Sequence, residues 1–100
     1  MDGLIVKQPY ASQLVSGLKK VEFRTTRLPV DKIGQKVLII TPQKDGGLVL
    51  GHVVFNEEKQ TGNIYKWIVK NAVSFDKPWR YNVKPGCVIW MKDVGYDIIA

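Results

Sequence analysis

The sequence predicts an α+β fold: a small sheet of about five to six strands, antiparallel or mixed, curving into a barrel with two helices flanking it. Three observations carry that expectation. Several strand-length runs are wholly apolar or alternate with period two. Two stretches space their apolar residues as amphipathic helices do. Glycine turns join several strands directly, which favours antiparallel neighbours over an all-parallel sheet.

Taken in order, Gly3 to Lys7 is a short strand. Pro9 suits the first turn of a helix, where its missing N–H costs nothing. Tyr10, Ala11, Leu14, Val15 and Leu18 share one helical face, and Gly17 is the stop signal. Val21 to Thr25 alternates, so Val21 and Phe23 should face the core while Glu22 and Arg24 share the opposite face. Residues 28–34 form a connection with a helical turn at Asp31. Lys36 to Thr41 reads as a central strand because it is nearly all apolar. Pro42 closes it, and Asp45-Gly46-Gly47 is a turn. Leu48 to Phe55 is the next strand, with Gly51 marking a bulge or a close backbone approach. Ile64, Trp67, Ile68, Ala72 and Phe75 are spaced as a second helix, capped by Thr61 or Asn63, with Lys66 and Lys70 on its outer face. Residues 77–81 form a loop, Pro85-Gly86 a turn, and Cys87 to Val94 the last long strand. Past Gly95 no further element is expected.

The length of 100 residues sets a single domain, residues 1–100, with a small core. No apolar run approaches the ~18 residues of a membrane span, and the N-terminal stretch lacks a basic leader. A cytoplasmic, intracellular protein is the simplest expectation. The 15 basic residues outnumber the 9 acidic ones, giving a net charge of +6 that favours anionic partners, RNA or DNA first. Because no tail holds this charge, it should lie on a folded surface.

Few residue types are available for catalysis. A lone His52 and a lone Cys87 exclude a His- or Cys-based metal cluster. No cofactor fingerprint, P-loop or nucleophile elbow is present. His52, inside a strand pattern, reads as a structural histidine, and Cys87 as a small core residue. The distinctive stretch is Gly17-Leu18-Lys19-Lys20-Val21-Glu22-Phe23-Arg24, in which a glycine stop precedes a carboxylate set between two cations. Arg24 can fork onto a carboxylate or phosphate, and Lys19 supplies a mobile point charge. Glu22 can orient either cation, accept from a base amine or take a proton. Spacing alone leaves an ordinary charged strand face as an equal reading. Trp67 and Trp90 read as core. Trp79 and Tyr10 are divided between packing and stacking on a base.

At these residues the sequence resembles the ASCH family of the PUA-like superfamily. Gly17, Lys19, Glu22 and Arg24 match its G-x-K-x-x-E-x-R motif. Lys7-Gln8-Pro9-Tyr10-Ala11 is similar to the K-Q-P-[WY]-A segment that opens the family's first helix. The resemblance implies a PUA-like barrel with a cleft between barrel and first helix, lined by Lys19, Glu22 and Arg24. Lys7, Gln8 and Tyr10 would be neighbours of these residues, and Gly17 would be structural. RNA or a nucleotide is the implied ligand, bound in a basic cleft that Trp79 would extend as a loop aromatic.

Some small ASCH-like proteins are enzymes. One group deacetylates the exocyclic amine of cytidine with a Lys, a Thr and a Glu, and the Thr lies where this chain has Glu22. Others are linked to RNA cleavage. The alternative expectation is therefore a small hydrolase with Lys19 and Glu22 catalytic, helped by a carboxylate at Glu57 or Glu58. Thr25 and Thr26 are near but at the wrong offset. A third expectation is a protein partner bound through a peptide carboxylate. No cofactor, metal or membrane partner is expected, and the oligomeric state is left open.

Overall fold

The computed structural model describes residues 1–82, 89–92, 94, 98 and 99. The expected Pro85-Gly86 turn and Cys87 lie outside these. The elements are β1 (Gly3–Ile5), α1 (Tyr10–Val15), β2 (Val21–Arg24), β3 (Lys36–Ile40), β4 (Leu48–Thr61), β5 (Ile64–Tyr81), β6 (Trp90–Met91) and β7 (Ile98–Ile99). Short 3-10 turns, Val30–Lys32 and Gln43–Asp45, flank β3. The strands form one mixed sheet in the order β2-β5-β4-β3-β1-β6, with β7 pairing to β5, and the sheet curves into a half-barrel. Only the β1–β3 pair is parallel among the strands described.

β3 explains the layering. It is central, between β1 and β4, and its Val-Leu-Ile-Ile run is buried on both faces. Val37 and Ile39 join the core under α1 with Leu4, Phe55 and Trp67. Leu38 and Ile40 join a second cluster on the other face with Val49, Tyr81 and Met91. A strand buried on both faces loses its polar alternation, as the sequence shows.

The helix α1 has 6 residues, far too few to persist alone. Packing of Ala11, Leu14 and Val15 into the first core holds it, and each large side chain buried there contributes about 1.5–3 kcal/mol. Gly17 ends it at φ +81°, a left-handed conformation that suits glycine. The helix is shorter than expected, so Leu18 lies beyond its last turn and is 75% exposed.

The expected second helix does not exist. Residues 64–81 are β5, antiparallel to β4 and β2. Thr61 pairs with Ile64, so Gly62-Asn63 is a two-residue hairpin loop, with Gly62 at φ +59°. Thr61 and Asn63 therefore end strands and turns, not a helix. The inward residues of β5 are Tyr65, Trp67 and Val69, a period of two, and its β-branched and aromatic content suits a sheet. Helical spacing at Ala72 and Phe75 is produced by irregular pairing. Asn71, at φ 51°, sits where the register passes from Val54↔Lys70 to His52↔Val73. Such bulges add residues and bend the strand. A second shift, from Gly51↔Ser74 to Val49↔Trp79, places residues 75–78 opposite Leu50 alone, and Pro78 falls in this excursion. Gly51 meets the backbone there: a β-carbon on it would lie 1.9 Å from the Val73 carbonyl oxygen.

Two further expectations change. The strand expected over 87–94 is described only at Trp90–Met91, antiparallel to β1. Ile98–Ile99, past Gly95, forms an element after all, on the far end of β5.

His52 is half-buried, edge-on to Phe75 with ring centroids 5.7 Å apart. Burial first, and then the charge of Lys36, hold its pKa below the ordinary 6.5. The unfolded chain therefore binds a proton that the fold resists. Stability should fall as pH drops below about 6.5 and level off below the folded value. Urea unfolding at pH 7.5 and 5.5 checks this. His52→Gln should reduce the difference between the two pH values, and an unchanged difference would exclude His52 as its source.

Candidate functional site

A cleft of about 870 Å³ opens between α1, β2 and the ends of β1 and β3. Its position follows from topology. Because β1 and β3 are parallel and Ile5 pairs with Ile40, the chain leaves both strands at one end of the sheet. Lys7 and Tyr10 follow β1 there, while Pro42 and Lys44 follow β3, and all four line the cleft. The two loops are tied together, the Gln8 N–H donating to the Asp45 carboxylate at 2.9 Å. Thr41 pins the second loop, its hydroxyl donating to the Asp45 carbonyl at 3.2 Å and accepting from the Leu48 N–H at 2.8 Å.

The opposite wall is β2, and its orientation reverses the expectation. Glu22 is 6% exposed and Arg24 is half-buried, whereas Phe23 is 55% exposed. The alternation is as expected but its phase is inverted: the charges face the concave side and the phenylalanine faces out. Period two says which residues share a face, not which face meets the core. Arg24 resolves the burial of Glu22. Its Nε donates to Glu22 Oε2 at 2.7 Å, and its Nη2 donates to the Ile5 carbonyl at 3.3 Å. Beneath lies Trp67, fully buried, with the guanidinium carbon 5.7 Å from its ring. The Trp67 Nε1–H is buried without a hydrogen-bond partner.

Of the five N–H donors of a guanidinium, Arg24 commits two to protein oxygens. The remaining three have no protein partner among the described residues. Lys19 stands at the mouth, its ammonium 4.8 Å from the Phe23 ring and 5.7 Å from the Tyr10 ring. The turn after Gly17 places it there, with the Lys19 N–H bonded to the Gln13 carbonyl at 2.9 Å. The lining thus carries four cations, Lys7, Lys19, Arg24 and Lys44, against one carboxylate, Glu22. That carboxylate is already paired with Arg24, so the unbalanced charge is positive. The arrangement can hold an anion beside flat or apolar groups, with Ile5, Val6 and Pro42 completing the wall.

The structure therefore brings Lys7, Tyr10, Lys19, Glu22 and Arg24 to one cleft. Gln8 has a different role. Its side chain donates to the Ser12 hydroxyl at 2.8 Å and accepts from the Ser12 N–H at 3.0 Å, bracing the start of α1. Trp79 is remote from the lining. It belongs to β5, opposite Val49, and stacks on Phe75 with centroids 4.9 Å apart. Glu58 is also engaged elsewhere, accepting from the Leu28 N–H and pairing with Arg27 at 3.5 Å. Lys44, Phe23 and Thr25 line the cleft without having been singled out as ligand residues. Thr25 directly follows the motif, and only the parallel β1–β3 pairing could have pointed to Lys44. Among the described residues no group of three or more His, Cys, Asp or Glu is placed to hold a metal ion, and no helix is long and apolar enough to cross a membrane.

No curated protein matches the chain. The family model described as ASCH domain matches residues 4–81. That span runs from β1 to the end of β5 and contains the whole cleft lining. The chain belongs to the ASCH domain family.

Proposed function

We propose that the cleft binds RNA or an RNA-derived nucleotide. The observation that carries this reading is the surplus of cations in the cleft, whose one carboxylate is paired internally. A ligand phosphate meets Lys19, with Lys7 and Lys44 adding long-range attraction. The uncommitted Arg24 donors meet a phosphate or a base acceptor. A base lies against Tyr10, which is 46% exposed at the rim. ASCH membership agrees with a PUA-like RNA-binding module, and an intracellular location fits such a ligand.

The test is fluorescence anisotropy with labelled single-stranded and hairpin RNAs over a salt series. Binding should weaken with salt, with a log–log slope near −2 for about three phosphate contacts. Glu22→Gln should bind as tightly as the wild type or tighter, because it removes a negative charge. Absence of binding to every RNA at low salt would sink the proposal.

A hydrolase is the second reading, favoured by Thr25 lining the same cleft as Lys19 and Glu22. In that case Lys19 stabilises an oxyanion and Glu22 activates water. The bond from Arg24 to Glu22 Oε2 speaks against a free base. Incubation with acylated cytidines and with labelled RNA separates the readings. Turnover that is lost in Glu22→Gln supports the hydrolase, and stable binding without turnover supports the module.

A further inference from the structure

The face of the sheet opposite the cleft wall carries charges that the cleft does not use. Strand register pairs Phe23 with Lys66, and Lys66 with Lys59. Residues paired across strands project from one face, so Lys59, Lys66 and Phe23 form a row across three strands, about 10 Å long. Phe23 and Lys59 are exposed and Lys66 is half-buried. At the β2 end of the row, the Lys19 ammonium stands over Phe23, and these two residues also line the cleft. The row and the cleft mouth are therefore continuous.

Charge complementarity identifies the occupant. Lys59 and Lys66 are like charges directly opposed, an unfavourable pairing in a sheet. Neither forms an ion pair among the described residues. Glu57, in the next outward row with Ile68 and Val21, is not bonded to them either. An anion between the two ammonium groups would turn their repulsion into binding. An exposed aromatic ring beside such an anion site suits an unpaired base.

We propose that this row is a second binding surface, for single-stranded RNA. A backbone phosphate lies between Lys59 and Lys66, a neighbouring base rests against Phe23, and the strand continues past Lys19 into the cleft. The proposal rests on the reading of the cleft as an RNA site and extends it from one nucleotide to a tracked strand.

The experiment compares uridine monophosphate, by calorimetry, with a labelled oligouridylate of about 12 nucleotides, by anisotropy. The proteins are the wild type and Lys59→Gln/Lys66→Gln, with circular dichroism confirming the fold of the variant. The double variant should bind the mononucleotide as the wild type does. It should bind the oligonucleotide about tenfold more weakly at low salt, with the salt slope reduced by about 1.4. Unchanged oligonucleotide affinity and slope overturn the second surface and leave the cleft reading standing. Wild-type binding of the oligonucleotide but not the mononucleotide, abolished in the double variant, supports the row and overturns the cleft reading. Equal affinity for a polyglutamate peptide of matched charge overturns RNA as the occupant.

Discussion

Arg24→Ala should abolish binding of RNA and nucleotide and destabilise the domain by about 3 kcal/mol. The second effect is large because Glu22 is left buried. With Arg24 in place, the carboxylate accepts a 2.7 Å charge-assisted bond. Without it, a charge that is 6% exposed has lost its counter-ion, and breaking a buried pair from one side costs about 3–5 kcal/mol. Arg24 is itself partly solvated, with 19% of its side chain exposed, which favours the lower end. For a domain of this length the melting temperature should fall by roughly 10–20 °C. Glu22→Gln/Arg24→Ala separates structure from binding. It removes the orphaned charge and should recover most of the stability, but it still lacks the guanidinium and should not recover binding. Recovery of binding in the double variant would show that Arg24 acts only by supporting the fold.

Trp67→Ala should destabilise by about 3–5 kcal/mol, the usual cost of truncating a buried tryptophan. The side chain is fully buried, edge-on to Phe55 at 5.4 Å and stacked on Trp90 at 6.0 Å. It is also the floor on which Arg24 rests, so the truncation should weaken ligand binding in step with stability. Domains of this kind have about 5–15 kcal/mol in total, so the loss is a large fraction, and thermal or urea unfolding reads it directly. Trp67→Phe is the contrasting variant. It keeps most of the ring contact and removes an Nε1–H that is buried without a partner, which offsets part of the lost volume. It should cost far less than the alanine variant. Equal losses in the two would mean that the indole N–H, not the ring, supports the site.

Much of the fold was legible because local patterns and tertiary packing agree. The apolar run at β3 read as central and is central. Gly51 read as a close backbone contact, and its α-carbon faces the Val73 carbonyl. The failures share one cause. Periodicity describes which residues share a face within an element, and bulges and core phase lie beyond it. In β5, bulges near Asn71 and Pro78 reset a period of two until it imitated a helix. The counter-signal was present in Thr61-Gly62-Asn63-Ile64, a two-residue glycine turn between β-branched runs, which reads as a hairpin. In β2 the period was right and the phase wrong, because the concave face there meets an open cleft and tolerates a paired Glu22 and Arg24.

The site was legible where its residues are contiguous. Lys19, Glu22 and Arg24 lie within six residues of one another in a turn and a strand. Lys44 was not, because its arrival depends on β1 and β3 being parallel, a long-range fact absent from any local window. Gln8 and Trp79 show the converse. Each has a chemistry that suits a ligand, and each spends it on the protein, Gln8 on Ser12 and Trp79 on Phe75.

The most direct measurement is an amide chemical-shift titration of the isotope-labelled protein with a nucleoside monophosphate at low salt. Binding in the cleft predicts saturable shifts concentrated at Lys7, Tyr10, Lys44 and the segment from Lys19 to Thr25, reversed by added salt. Shifts centred on Phe75 and Trp79, or no saturable shift at any residue, would contradict a nucleotide site built on Lys19 and Arg24.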